Sequence, residues 1–188
     1  NEWLAENNAG LRNPANNRFD DWFELYNPTD TPAEIGGYYL TDNLGNPTKY
    51  RIPAGYQVPA GGFLLVWADE VTSANSTNDP ALHVNFKLSK DGEALGSFAP
   101  DGSPVDVVAF GAQLDNVSEG RIPDGGSLRL LLSTPTPLAA NVPPPADAPP
   151  SVTGMTWIPG GAVSLSFATS PGHTYRVEIA DDNSERAR

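Results

Sequence analysis

The chain has 188 residues, 39% hydrophobic and 18% charged, a balance that fits a globular chain and not an unfolded one. Its net charge of -12 disfavours phosphate backbones and anionic membranes as partners. There is no cysteine, which removes disulfides, thiolate nucleophiles and cysteine metal sites, and no run of about 20 apolar residues that could span a membrane.

Taken in order, the elements read as strands. Asn1-Glu2-Trp3-Leu4 already has strand character, so the chain reads as part of a longer precursor. Trp22-Phe23-Glu24-Leu25-Tyr26 alternates, with Phe23 and Leu25 on one face and Trp22, Glu24 and Tyr26 on the other. Asn27-Pro28-Thr29-Asp30 stops it. Tyr38-Tyr39-Leu40-Thr41 follows Gly36-Gly37, and Tyr50-Arg51-Ile52 runs into a Pro53-Ala54-Gly55 turn. Phe63-Leu64-Leu65-Val66-Trp67 is nearly all apolar, as a strand buried on both faces would be. A polar loop from Asp69 to Pro80 precedes the alternating Val84-Asn85-Phe86-Lys87-Leu88, and Asp91-Gly92 is a hairpin signal. Leu95 to Phe98, Val105 to Phe110, Ser118 to Pro123 and Leu128 to Leu132 complete a set whose turn spacing predicts an all-β, two-sheet sandwich. Its predicted core is Phe23, Leu25, Leu40, Ile52, Leu64, Val66, Phe86, Leu88, Val107 and Leu130, with Trp67 as the core tryptophan.

The composition then shifts. Residues 1–141 form the predicted sandwich, and 142–150 read as a semi-rigid linker rich in proline. Residues 151–188 give three more strand signals: Ser151 to Trp157, Ala162 to Phe167 and His173 to Ile179. Such a piece is too short to bury an independent core, and it reads as a truncated second β-sandwich repeat.

Several segments in this order resemble the lamin tail domain. They are Asp21 to Pro28, Gly36-Gly37-Tyr38-Tyr39-Leu40-Thr41-Asp42, Tyr50-Arg51-Ile52-Pro53 and, most tellingly, Val58-Pro59-Ala60-Gly61-Gly62-Phe63-Leu64-Leu65-Val66-Trp67-Ala68. Asn85-Phe86-Lys87-Leu88, Val105-Asp106 and Ser118-Glu119-Gly120-Arg121 continue it. Glu2 to Asn7 and Asn46 to Lys49 are most similar to the bacterial branch, and Pro171 to Glu178 resembles a fibronectin- or immunoglobulin-like repeat. The resemblance implies an immunoglobulin-like fold. It also implies a non-catalytic interaction or spacer role in a larger secreted or cell-surface bacterial protein, with a protein or glycan as partner. The alternatives are a carbohydrate-binding module or a substrate-orienting appendage of an extracellular enzyme.

Each candidate site competes with an ordinary structural role. A hydrolytic triad needs a histidine, and the chain offers His83 and His173 but no Gly-x-Ser-x-Gly elbow. A glycan platform needs exposed coplanar aromatics; Trp22 and Tyr26 share a strand face, although half of such residues fill a core. No cofactor is expected. Calcium is the one ion left open, with Glu6, Asn7, Asp20 and Asp21 as its ligands and Asp69, Glu70, Asn78 and Asp79 as a second cluster. Such residues also cap turns, and neither cluster has EF-hand spacing. The glycosylation triplets at Asn75 and Asn116 read as chance.

Overall fold

The computed structural model describes residues 1–76, 81–145, 151–158 and 162–168. Residues Asn1–Pro143 form one compact unit and Pro144–Arg188 a second. The first is an immunoglobulin-like sandwich. Its larger sheet has the order β12-β11-β1-β2-β7-β8, built from Leu128–Leu132, Ser118–Ile122, Glu2–Leu4, Trp22–Tyr26, Phe63–Trp67 and Ala81–His83. The smaller sheet runs β10-β9-β4-β5, from Pro104–Phe110, Glu93–Phe98, Tyr39–Thr41 and Tyr50–Arg51. A short two-stranded pair, β3 (Ala33–Glu34) with β6 (Gln57–Val58), stands apart from both sheets in hydrogen bonding.

The core lies between the sheets. Trp3, Phe23, Leu64, Val66 and Leu82 from the larger sheet pack with Leu40, Tyr50, Leu95 and Phe110 from the smaller one. Phe23 stacks on Phe86 at 6.1 Å between ring centroids, and Trp3 tilts against Phe110 at 5.7 Å. Eight of the ten predicted core residues sit here, Leu25 only partly buried. Two do not. Val107 is 42% exposed because β10 is an edge strand and this side chain faces away from the core. Leu130 pairs with Gly120, which in turn pairs with Glu2, so it belongs to the far face of the larger sheet.

That far face is also covered. Leu4, Trp22, Trp67 and His83 are successive cross-strand partners and each is only 1% exposed. A parallel row runs Glu2, Glu24, Leu65 and Ala81. Trp67 therefore packs in this second cluster, and Trp3 is a tryptophan of the main core. Burying an indole contributes about 3 kcal/mol or more, so two layers on one sheet matter to a module of this size.

Val84 to Leu88 shows the expected alternation of buried and exposed side chains but carries no strand ladder. The paired segment is Ala81–His83, which adds in parallel to β7. In the second unit, β13 (Ser151–Ile158) and β14 (Ala162–Ala168) form an antiparallel hairpin. The third predicted strand, His173 to Ile179, and much of the predicted linker lie outside the described residues.

Candidate functional site

One end of the sandwich is not filled. Between Leu25 of β2, Leu40 of β4, Ile35, Ile52 and Val58 lies a cavity of about 500 Å³. Its size is that of a pocket for a small ligand or an inserted side chain. The cause is local: Asn27 turns the chain away from the sheet, its Nδ2 donating to the carbonyls of Thr31, Val58 and Pro59. Leu25, Ile35 and Tyr38 are left only partly covered. The rim is polar, with Glu34, Ser97, Asp106 and Arg121. Arg121 of β11 crosses from the larger sheet to grip Asp106 of β10 with one guanidinium nitrogen, at 2.8 and 3.0 Å from the two carboxylate oxygens, and donates to the Gly126 carbonyl at 2.9 Å. This ion pair is a latch over the open side.

Behind β1 and β2, two buried carboxylates hold a strap, residues 133–141. Glu2 accepts hydrogen bonds from Ser118 Oγ and from the N–H and Oγ1 of Thr136. Glu24 accepts from the Leu138 N–H at 2.9 Å and Asn1 Nδ2 at 3.0 Å. Burial pushes both carboxyls up against the pull of these donors, Glu24 to about 7. Leu138 adopts a left-handed φ of 62° to present its N–H. At the end of the strap, Asp124 Oδ1 receives both Asn1 Nδ2 and the Asn141 N–H, each at 3.0 Å.

A third network sits beside Trp67. His83 Nδ1 lies 2.7 Å from Asp69 Oδ2, which also accepts from Asn13 Nδ2 at 2.8 Å. Burial raises the Asp69 carboxyl, but bonds from His83, the Val71 N–H and Asn13 outweigh it and hold it below the usual range. Asn13 reaches on to Asp20, tying the loop 7–20 down over the far face. An Asp–His pair is two-thirds of a triad, yet His83 is 1% exposed, and its hydrogen bonds serve packing.

Residues 6–112, more than half of the chain, match the Lamin Tail Domain family model. The chain belongs to this family. No curated protein and no solved structure matches it. The match starts after β1 and stops before β11, so the strap and the latch arginine lie outside the matched stretch of this lamin tail domain. Immunoglobulin-like folds of the lamin tail type are typically non-catalytic.

The predicted site residues distribute unevenly within the lamin tail domain. Trp22 lies on the face expected of it, but it is buried among Leu4, Leu65, Trp67 and Ala81. It therefore forms no exposed sugar platform with Tyr26, because the far face of the sheet is a second packed layer and not solvent. Tyr26 instead leans on Phe63 at 5.0 Å and borders the cleft. Glu6, Asn7, Asp20 and Asp21 do come together. Asp21 Oδ1 receives the Asn7 N–H at 3.0 Å, Asp20 Oδ2 receives Asn13 and Asn16, and Glu6 receives Asn8. Burial, with Glu6 and Asp20 nearby, raises the Asp21 carboxyl to about 6. Protein N–H groups engage one oxygen of each carboxylate, and no three acidic or histidine side chains among the described residues stand close enough to share a metal ion. Of the second cluster, Asn78 and Asp79 lie outside the described residues, and Asp69 is committed to His83. Both triplet asparagines are structural: Asn75 bridges Tyr50 and the His83 backbone, and Asn116 caps the N–H groups of Asn8 and Ala9.

The strand pattern did not single out Glu2, Glu24, Asp106 or Arg121. The available signal was a lone acid amid aromatic neighbours on a strand, as in Trp22-Phe23-Glu24, which demands partners if both faces are covered.

Proposed function

We propose that this lamin tail domain is a non-catalytic interaction and spacer module of a larger secreted or cell-surface bacterial protein, and that it binds its partner, a protein, in the cleft between the sheets. The observation that carries this reading is the cavity of about 500 Å³, with an apolar floor and a polar rim in a sandwich otherwise packed on both faces of its larger sheet. The Asp69–His83 pair supports a structural role, since its groups are buried beneath the loop they hold. The burial of Trp22 weighs against a flat sugar platform on that face. The bacterial setting rests on the motifs at Glu2 to Asn7 and Asn46 to Lys49. No cofactor is needed for such a role.

The test is turnover. The purified chain is assayed on chromogenic phosphoesters, peptides and glycosides beside its Asp69→Asn and His83→Gln variants. No turnover is expected. Turnover that either variant abolishes while remaining folded would overturn the non-catalytic reading.

A further inference from the structure

The open edge and the charge of the cleft together point to the kind of partner it fits. β10 forms one wall, and it is the terminal strand of its sheet, with no strand paired along its outer side. Val105, which borders the cleft, and Val107, which faces away from the core, are 59% and 42% exposed. The Ala109 carbonyl is taken by Arg129 Nη1 at 2.8 Å, so this end of the edge is capped from β12, and the stretch left for a partner is Val105 to Val107, beside the cleft. An edge of this kind pairs with an extended chain, whose alternate side chains then point toward the neighbouring cavity. The cavity floor is Leu25, Ile35, Leu40, Ile52 and Val58, which calls for an apolar side chain.

Charge decides the flanks. The arginine of the lining, Arg121, is occupied by Asp106 and the Gly126 carbonyl. Glu34 on the opposite rim faces the neutral amide of Gln57, and no cation among the described residues pairs with it. Around both lies a chain of net charge -12. A cationic segment gains from this field on approach, and an acidic one is repelled.

We infer that the cleft takes an extended basic polypeptide segment, which lies along β10 and inserts one apolar side chain between the sheets. This rests on reading the chain as a binding module and adds the chemistry of the partner.

The experiment is an amide NMR titration of the full chain with short blocked peptides carrying a central leucine flanked by lysines, glutamates or serines. The lysine peptide is expected to shift Ser97, Val105 and Asp106, with affinity at least about tenfold above the glutamate peptide at low salt and the difference shrinking as salt is added. Replacing the leucine by glycine abolishes binding. Ser97→Leu, which fills the cleft, blocks it; Glu34→Lys, a surface change, weakens the lysine peptide and serves if Ser97→Leu fails to fold. Equal binding of all three leucine peptides in the cleft would keep the binding site and end the basic-partner inference. Tighter glutamate binding, shifts elsewhere, or none at all would overturn it, whereas the non-catalytic reading falls only on turnover.

Discussion

Glu2 and Glu24 are direct cross-strand partners on β1 and β2, both essentially without solvent exposure, and together they hold the strap through Thr136 and Leu138. Like charges so placed repel, and burial adds to the cost of ionising either. The arrangement persists because Ser118, Thr136, Asn1 and the Leu138 N–H surround them with donors.

A pH dependence follows from Glu24, whose carboxyl rises from 4.5 to about 7 through burial. A raised folded value means that the native state binds the proton more tightly. The stabilisation is therefore complete below about pH 4.5 and is lost as pH rises through about 7. Urea unfolding at about pH 5 and pH 8 is expected to differ by on the order of 3 kcal/mol from this group, with the acid side more stable. Glu24→Gln, neutral at both, is expected to remove this contribution and leave those of Glu2 and Asp21; an unchanged pH profile in the variant would contradict this.

Asp69 works in the opposite sense. Its carboxyl lies below the usual 3.8, so what it contributes is present above that value and lost only in stronger acid. Asp69→Asn leaves His83 without its anionic partner and weakens the grip on Asn13. A loss of about 2–5 kcal/mol at neutral pH is expected. Hydrogen exchange checks the mechanism, since protection across residues 7–20 should fall first.

The four tryptophans divide sharply. Trp3, Trp22 and Trp67 are each 1% exposed, whereas Trp157 is 71% exposed. Iodide is expected to quench one component of the fluorescence, and Trp157→Phe to remove that component. Trp22→Ala is expected to cost about 3–5 kcal/mol and Tyr26→Ala distinctly less. A cheap Trp22→Ala would mean that the far face is open to solvent after all.

Gly120 tests the strap from below. A methyl group there would stand 2.5 Å from Asn141 Nδ2 and 2.8 Å from Leu132 Cδ1. Gly120→Ala is expected to destabilise by about 1–3 kcal/mol through overpacking. Its proteolysis is expected to begin within residues 133–141 and to run faster there than in the wild-type chain.

The sandwich was legible because strand period, glycine-led strand entries and turn residues agree along the first unit. Phe23 and Leu25 were assigned to the correct face of β2 by alternation alone. The same alternation placed Trp22 and Glu24 on the opposite face, but it carries no information about what covers that face. The loop 7–20 and the strap are irregular, have no period, and act through side-chain hydrogen bonds between residues far apart in sequence, such as Thr136 with Glu2. Ala81–His83 escaped notice because three residues are too few to show a period, and its neighbour Val84 to Leu88 alternates without pairing. The cleft is a place where residues are missing from a core, and only the packed structure displays it.

Asp124 receives both Asn1 and Asn141 on one oxygen, so the two ends of the sandwich are pinned side by side. A domain with adjoining entry and exit suits insertion into a surface loop of a host protein, whose own fold it would barely strain. Separating those two ends breaks their shared contact first, so a pull between them would reach the strap and β1 before it reached the core.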